Sequence, residues 1–279
     1  MLSFSQANAK IEALKQVEEL QQYLTGKRKV YSFDLLSGYS CPFAEKCLSK
    51  AVEYVDIFDA DGVATAAKMR RKIKDGPKTE FRCFSASQEV QYNGVYNKRK
   101  ANFDGLKHLN SSHDMANAIM AVMPKNTGIV RIHVAGDFFN MKYFLAWIKI
   151  AEQNPDILFY AYTKSLNFWI QSLRVRVQDN KDLPKNLILT ASRGGRSDNL
   201  IDLHGLRETV VVHSEAEAAS LGLEIDHDDS HAARPSLKNQ NFALLIHGTQ
   251  PKGSEAATAL KILKKNKVQH SYSRKAAKV

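Results

Sequence analysis

Several times along the 279-residue chain an apolar run of strand length is followed by a short polar loop and then by a helical pattern. That cadence predicts an α/β fold on a parallel sheet, because each parallel strand needs a crossover, most often a helix. The runs are almost continuously apolar, as strands covered on both faces are. Polar residues collect immediately after them, where parallel sheets place their reactive groups. Strands marked by Val30, Phe81, Ile129, Ile157, Leu187, Thr209 and Phe242 suit a TIM-type (β/α) barrel, complete or partial. A doubly wound open sheet is the alternative.

Residues 5–24 carry Ile11, Leu14, Val17, Leu20 and Leu24 at helical spacing, closed by Gly26. Val30–Phe33 is a short strand, and residues 34–47 read as a loop. A helical region is expected over 60–74, a strand over 81–85, and helix over 90–122 with a break near Asn110. Residues 128–136 read as a buried strand with Asp137 directly after it, followed by an aromatic-rich helix over 141–153. Strands at 157–162, 187–191, 209–212 and 242–246 follow, with helices at 168–177, 215–221 and 254–265. This divides the chain into an N-terminal helix (1–28), a barrel domain (29–253) and a basic C-terminal helix and tail (254–279).

The 40 Lys and Arg outnumber the 29 Asp and Glu by eleven. Seven of those eleven charges fall in residues 249–279. A basic edge favours a phosphate-rich partner, since each neutralised phosphate releases counterions. Nucleic acid is the expected partner, held by Arg193, Arg196, Lys261, Lys264 and Lys265. With 44% hydrophobic and 25% charged residues, collagen-like, coiled-coil and wholly disordered chains are excluded. There is no apolar run of membrane-spanning length, no signal-peptide pattern at the start, and only 3 cysteines, so a reducing cytoplasm is expected.

Asp34, Ser85, Asp137, Lys164, Ser192, Arg193, His213 and His247 each stand at or near a strand end. Asp137 is the sharpest candidate for a nucleophile, base or metal ligand, and Asp34 the second. Ser192, Gly194 and Gly195, with Lys164, suit a loop that holds an anion or a base edge. Cys41, Cys47 and Cys83, spaced C-x5-C-x35-C, suit one [4Fe-4S] cluster with an open iron, or with a histidine a Cys3His zinc site. Residues 226–231 pack three acids and two histidines into a segment that reads as a solvated loop or a divalent-metal site. Residues 92–100 interleave aromatics with bases, either as a stacking surface or as a charged helix face.

Cys41-Pro42-Phe43-Ala44-x-x-Cys47, Phe81-Arg82-Cys83-Phe84-Ser85, Arg131 to Phe139, Phe159 to Ser165 and Leu189 to Gly195 resemble the phage gene product 88 family, over about residues 31–254. Two groups of barrel enzymes look like distant relatives of that pattern. Radical-SAM-like phage proteins share an early cysteine cluster, a strand ending in Gly-Asp and a later Thr-Lys. Guanine transglycosylases exchange guanine for a 7-deazaguanine. The chain lacks the C-x3-C-x2-C of the first and the late C-x-C-x2-C-and-His zinc motif of the second.

The leading expectation from the resemblance is a phage DNA-modifying enzyme, in the cytoplasm of an infected bacterial host. It would exchange guanine in double-stranded DNA for a 7-deazaguanine, with Asp137 as nucleophile and Gly194 and Gly195 in the base-binding loop. The alternatives are a radical-SAM-like enzyme with an iron–sulfur cluster on the three cysteines, and a non-enzymatic DNA-binding protein.

Overall fold

The computed structural model describes residues 1–58, 64–179 and 181–268. Among the described residues ten strands are formed: β1 (Ser5–Gln6), β2 (Lys29–Phe33), β3 (Ser49–Phe58), β4 (Ala64–Asp75), β5 (Thr127–Ile132), β6 (Leu158–Thr163), β7 (Leu187–Ser192), β8 (Glu208–Val212), β9 (Glu224–Ile225) and β10 (Phe242–Leu245). The helices are α1 (Ala9–Glu12), α2 (Phe84–Gln91), α3 (Asn93–Lys107), α4 (Ser112–Met120), α5 (Met141–Gln153), α6 (Leu166–Gln178), α7 (Asn199–His204), α8 (Glu215–Ser220), α9 (Ser230–Ala233) and α10 (Glu255–Lys265).

Eight strands form one sheet in the order β1-β2-β5-β6-β7-β8-β10-β9, and β3 pairs with β4 in a separate ribbon. From β2 to β10 the neighbours are parallel and lie in chain order. β9 adds a last parallel strand outside β10, and β1 is antiparallel on β2. The parallel strands are therefore laid down in one direction, as in a barrel. There is no central reversal of the kind that defines a doubly wound sheet.

The sheet nevertheless stays open, with β1 and β9 at its edges, and the expected complete barrel is not formed. The packing gives the reason. Residues alternate along each strand, with Tyr31, Val130, Phe159 and Leu189 on one face and Val30, Ile129, Leu158 and Ile188 on the other. The first face is covered by α4, α5, α6 and α7, with Trp147, Tyr143 and Phe144 at its centre. The second is covered by Ile11, Leu14 and Leu20 of the N-terminal segment and by Ala232 and Ala233 of α9. A closed barrel fills that inner face with its own side chains. Here a separate layer does so, and closure has nothing left to bury.

Four further expectations change. The N-terminal segment is one turn of α-helix followed by 3-10 turns at Ala13–Gln16 and Glu18–Tyr23, not a continuous helix. It adds to the sheet core and does not stand apart as a unit. Residues 64–74, expected to be helical, form β4. Lys68, Arg70, Lys72 and Lys74 alternate with Met69, Arg71 and Ile73, and cross-strand pairing with β3 overrides the helix propensity of Ala, Lys and Met. Phe81–Ser85, expected as a strand, leads into α2, where the Ala86 N–H donates to the Cys83 carbonyl. Finally, the strand expected over 128–136 ends at Ile132.

Candidate active site

β5 ends where His133 takes a left-handed backbone, φ 71°, which a residue with a Cβ adopts rarely. The next turn needs a glycine. Gly136 has φ 92°, and a Cβ there would lie 2.5 Å from Ser40 Oγ and 2.7 Å from Leu35 Cβ. The loop after β5 is thereby pressed onto the loop after β2, and Asp137 is set between β5 and β6. Asp137 Oδ1 accepts from its neighbour's N–H on Phe138 (2.7 Å) and from Thr163 Oγ1 (2.6 Å); Oδ2 accepts from Lys164 N–H (2.8 Å). Burial pushes this carboxyl up to about 6, although the three donors oppose the shift.

The same strand ends wall a crevice lined among others by Cys41, Cys47, Cys83, Asp137, Lys164 and His247. Phe81, Phe84, Leu244 and Ile246 make much of the wall apolar. The three cysteines reach it by backbone closure. Glu80 N–H (2.8 Å) and Phe81 N–H (3.2 Å) both donate to the Lys46 carbonyl, and Gly76 N–H donates to the Leu48 carbonyl (2.7 Å). The β3–β4 ribbon is thus pinched off at its root, and Cys83 returns to the stretch that carries Cys47. All three are free thiols. Burial, the Asp137 charge and the neighbouring Cys83 raise the Cys41 thiol well above the usual range. Burial and Cys47 push Cys83 up to about 11.

His133 also lines the crevice. Its Nε2 is 2.9 Å from Tyr143 Oη, while its buried Nδ1 has no hydrogen-bond partner. Burial first, and Arg131 second, lower this imidazole to about 3, so the ring is neutral. Lys164 is tied down: Nζ donates to Ser192 O (2.8 Å), Ser192 Oγ (2.7 Å) and Arg193 O (2.8 Å).

A family model described as Gene product 88 matches residues 2–266. The chain belongs to the gene product 88 family. The "Gene 88 protein" of Mycobacterium phage L5 is 47% identical over 36 residues, a stretch covering 13% of this chain and 15% of that protein. No solved structure matches. The family match takes in every residue of the crevice.

Set against the sequence expectations, this member of the gene product 88 family brings Asp137, Lys164, Ser192, His247 and the three cysteines to one crevice. Asp34 lies outside it. Its Oδ1 accepts from Val134 N–H (2.7 Å) and its Oδ2 from Ser32 Oγ (2.9 Å), bonds that tie β2 to the loop after β5. Ser85 donates to the Val134 carbonyl (3.2 Å). His213 faces Glu255 at 3.6 Å on the surface.

The Gly194-Gly195 turn is not an open anion site. Both its N–H groups donate to Asp198, at 2.7 and 2.9 Å, so a carboxylate of the same chain fills it. Arg193, expected on phosphate, is paired with Glu208 and Asp202. Arg196 is exposed, as are Lys261, Lys264 and Lys265 on the outer face of α10. The end of the basic tail, with Arg274, Lys275 and Lys278, lies outside the described residues.

Residues 226–231 do not form a solvated loop: Asp226 and Asp229 are fully buried. Asp229 bonds Lys10 Nζ (2.9 Å), Tyr160 Oη (2.9 Å) and Arg131. In residues 92–100, Tyr96 and Arg99 are buried and Tyr92 is exposed. Among the described residues no three His, Cys, Asp or Glu side chains are arranged to hold a single metal ion. No helix among them is long and apolar enough to cross a membrane. Sequence reading missed His133, Arg131 and Arg82 in the crevice wall. The available signal was a cation and an imidazole inside an otherwise apolar run.

Proposed function

We propose that the chain is a radical-SAM-like iron–sulfur enzyme of phage-infected cells, with Cys41, Cys47 and Cys83 as cluster ligands. One observation carries the reading: all 3 cysteines of the chain line one crevice at the C-terminal ends of a parallel sheet wound in a single direction. The long second spacing has a local cause, since the β3–β4 ribbon is inserted between Cys47 and Cys83, whereas nothing in the structure explains five residues between Cys41 and Cys47.

The donor set suits a cluster better than a zinc ion. A zinc ion draws every sulfur to about 2.3 Å from one point. A cluster gives each thiolate its own iron and accepts a wider set. Facing thiols in an apolar wall resist ionisation, and iron cations relieve that cost. Cys41, Cys47 and Cys83 would hold such a cluster, which would supply single electrons to a bound substrate. The chain's own groups do the rest: the apolar wall excludes water, and the unpaired Nδ1 of neutral His133 offers a buried polar contact. Lys164 is held rigid on Ser192, and its N–H positions Asp137.

Anaerobic purification followed by reconstitution with iron and sulfide tests this. The expected product is a brown protein with absorption near ~400 nm. Cys83→Ser should lose the colour while keeping its circular dichroism. Folded protein that retains no iron after reconstitution would overturn the proposal.

Guanine transglycosylation is the second reading, favoured by the Asp137 carboxyl on the crevice wall, raised to about 6. All three of its hydrogen bonds are accepted from the protein, which suits a base better than a free nucleophile. Incorporation of labelled guanine into DNA by the wild type, lost in Asp137→Asn, supports it. Absence of exchange by the folded protein excludes it.

A further inference from the structure

The β3–β4 ribbon takes no part in the crevice chemistry and has two unlike faces. Its register pairs Lys50 with Lys74, Val52 with Lys72, Tyr54 with Arg70 and Asp56 with Lys68, and these side chains share one face. The other face carries Ala51 and Ile73 near the root, with Arg71, whose Nε donates to the Glu89 carbonyl (2.9 Å) and whose guanidinium lies 4.4 Å over the Tyr96 ring. That second face docks the ribbon on α2 and α3. The first is turned to solvent: Lys68, Arg70, Lys72 and Lys74 are exposed.

These four cations stand at every second residue of one strand, about 6.7 Å apart, and so form a straight row of about 20 Å. The face holds five cations against the single carboxylate Asp56, which pairs with Arg70 (2.7 Å). Tyr54 is 37% exposed in the middle of the row, with Lys72 Nζ 5.3 Å from its ring centre. A linear row of cations with an aromatic ring between them is the chemistry that follows a phosphodiester backbone and stacks a base. The root of the ribbon is fixed at the crevice rim, where Arg82 pairs with Asp75 (2.7 Å) and also lines the crevice.

We infer that the Lys68–Lys74 face of the ribbon is a nucleic-acid-binding arm that holds a strand at the mouth of the crevice. The inference does not depend on the cluster, because binding is measured directly. Full-length protein is titrated into fluorescein-labelled 20-nucleotide single-stranded DNA, duplex DNA and RNA, and anisotropy is followed across a salt series. Lys68, Arg70, Lys72 and Lys74 changed together to Gln should weaken binding at least ~10-fold at about 0.1 M salt and lower the log–log salt slope by about 3. Tyr54→Ala should cost single strands about 10-fold and leave the duplex nearly unchanged. The triple variant Lys261, Lys264, Lys265→Gln separates this arm from α10. All these side chains are exposed, and unchanged thermal melting confirms folding.

Wild type that binds none of the three probes overturns the inference. So does a quadruple variant that binds as the wild type does, or binding abolished by the α10 variant alone. Ribbon-dependent binding to phosphatidylglycerol vesicles without binding to any oligonucleotide also overturns it, and assigns the face to a lipid surface.

Discussion

Two sites lie against each other at the ends of β5 and β6, sharing Arg131 and Tyr162 and left in opposite states. Around Asp229, Lys10, Arg131, Tyr160 and Tyr162 converge, and the carboxylate is saturated with donors. Burial alone would raise its pKa; Arg131 and Lys10 overcome that and hold it well below the usual carboxylate range. In the crevice, by contrast, burial raises two thiols, helped by Asp137 and Cys83 at Cys41 and by Cys47 at Cys83, and His133 keeps an unpaired nitrogen. A satisfied network holds a fold together, whereas unsatisfied groups on a crevice wall leave hydrogen-bonding capacity unused. The richest local cluster of acids and histidines in the sequence is the structural one.

The comparison is broken most severely at Asp229. Asp229→Ala leaves Arg131 and Lys10 without their counter-charge, and should cost about 3–5 kcal/mol in urea unfolding. A loss under 1 kcal/mol would make the two sites equivalent. Next comes the crevice. With its thiol at about 11, Cys83 in iron-free protein should react with iodoacetamide at pH 8 on the order of 100-fold slower than a free thiol. An ordinary rate would mean that the crevice does not bury it.

The pH dependence of Asp137 sharpens the contrast. A carboxyl raised to about 6 binds its proton more tightly folded than unfolded. Its contribution to stability is therefore greatest near pH 4 and is lost as the pH rises through about 6. The destabilisation caused by Asp137→Asn should shrink across that window in thermal melts, and a constant difference would contradict it. The smallest effect is expected at Asp198→Ala. Freeing the Gly194 and Gly195 N–H groups on a half-exposed loop should cost about 1 kcal/mol. The freed turn should leave iron content unchanged after reconstitution.

Most of the sheet was legible in the sequence, because strands covered on both faces are apolar throughout: β2, β5, β6, β7, β8 and β10 stand close to where the hydrophobic runs put them. The ribbon was not, since its alternating pattern competes with strong helix formers and is resolved only by pairing with β3. Of the crevice lining, Asp137, Lys164, Ser192, His247 and the cysteines are the residues that stand out by their position after apolar runs or by residue type. Arg131 and His133 were hidden inside such a run. That Asp198 takes the Gly194 and Gly195 amides was not legible, because the contact is set by the turn's own geometry.

Burial and periodicity are local properties, so the chain's own pattern is enough for a parallel α/β sheet, the polar residues at its strand ends and the excess of positive charge. Only the tertiary structure decided that the sheet stays open, because a separate N-terminal layer covers the face a barrel would enclose. It also decided that Cys47 and Cys83, with 35 residues between them, share one crevice. Backbone closure at Lys46 and Leu48 pinches off the ribbon between them, a contact no spacing rule contains.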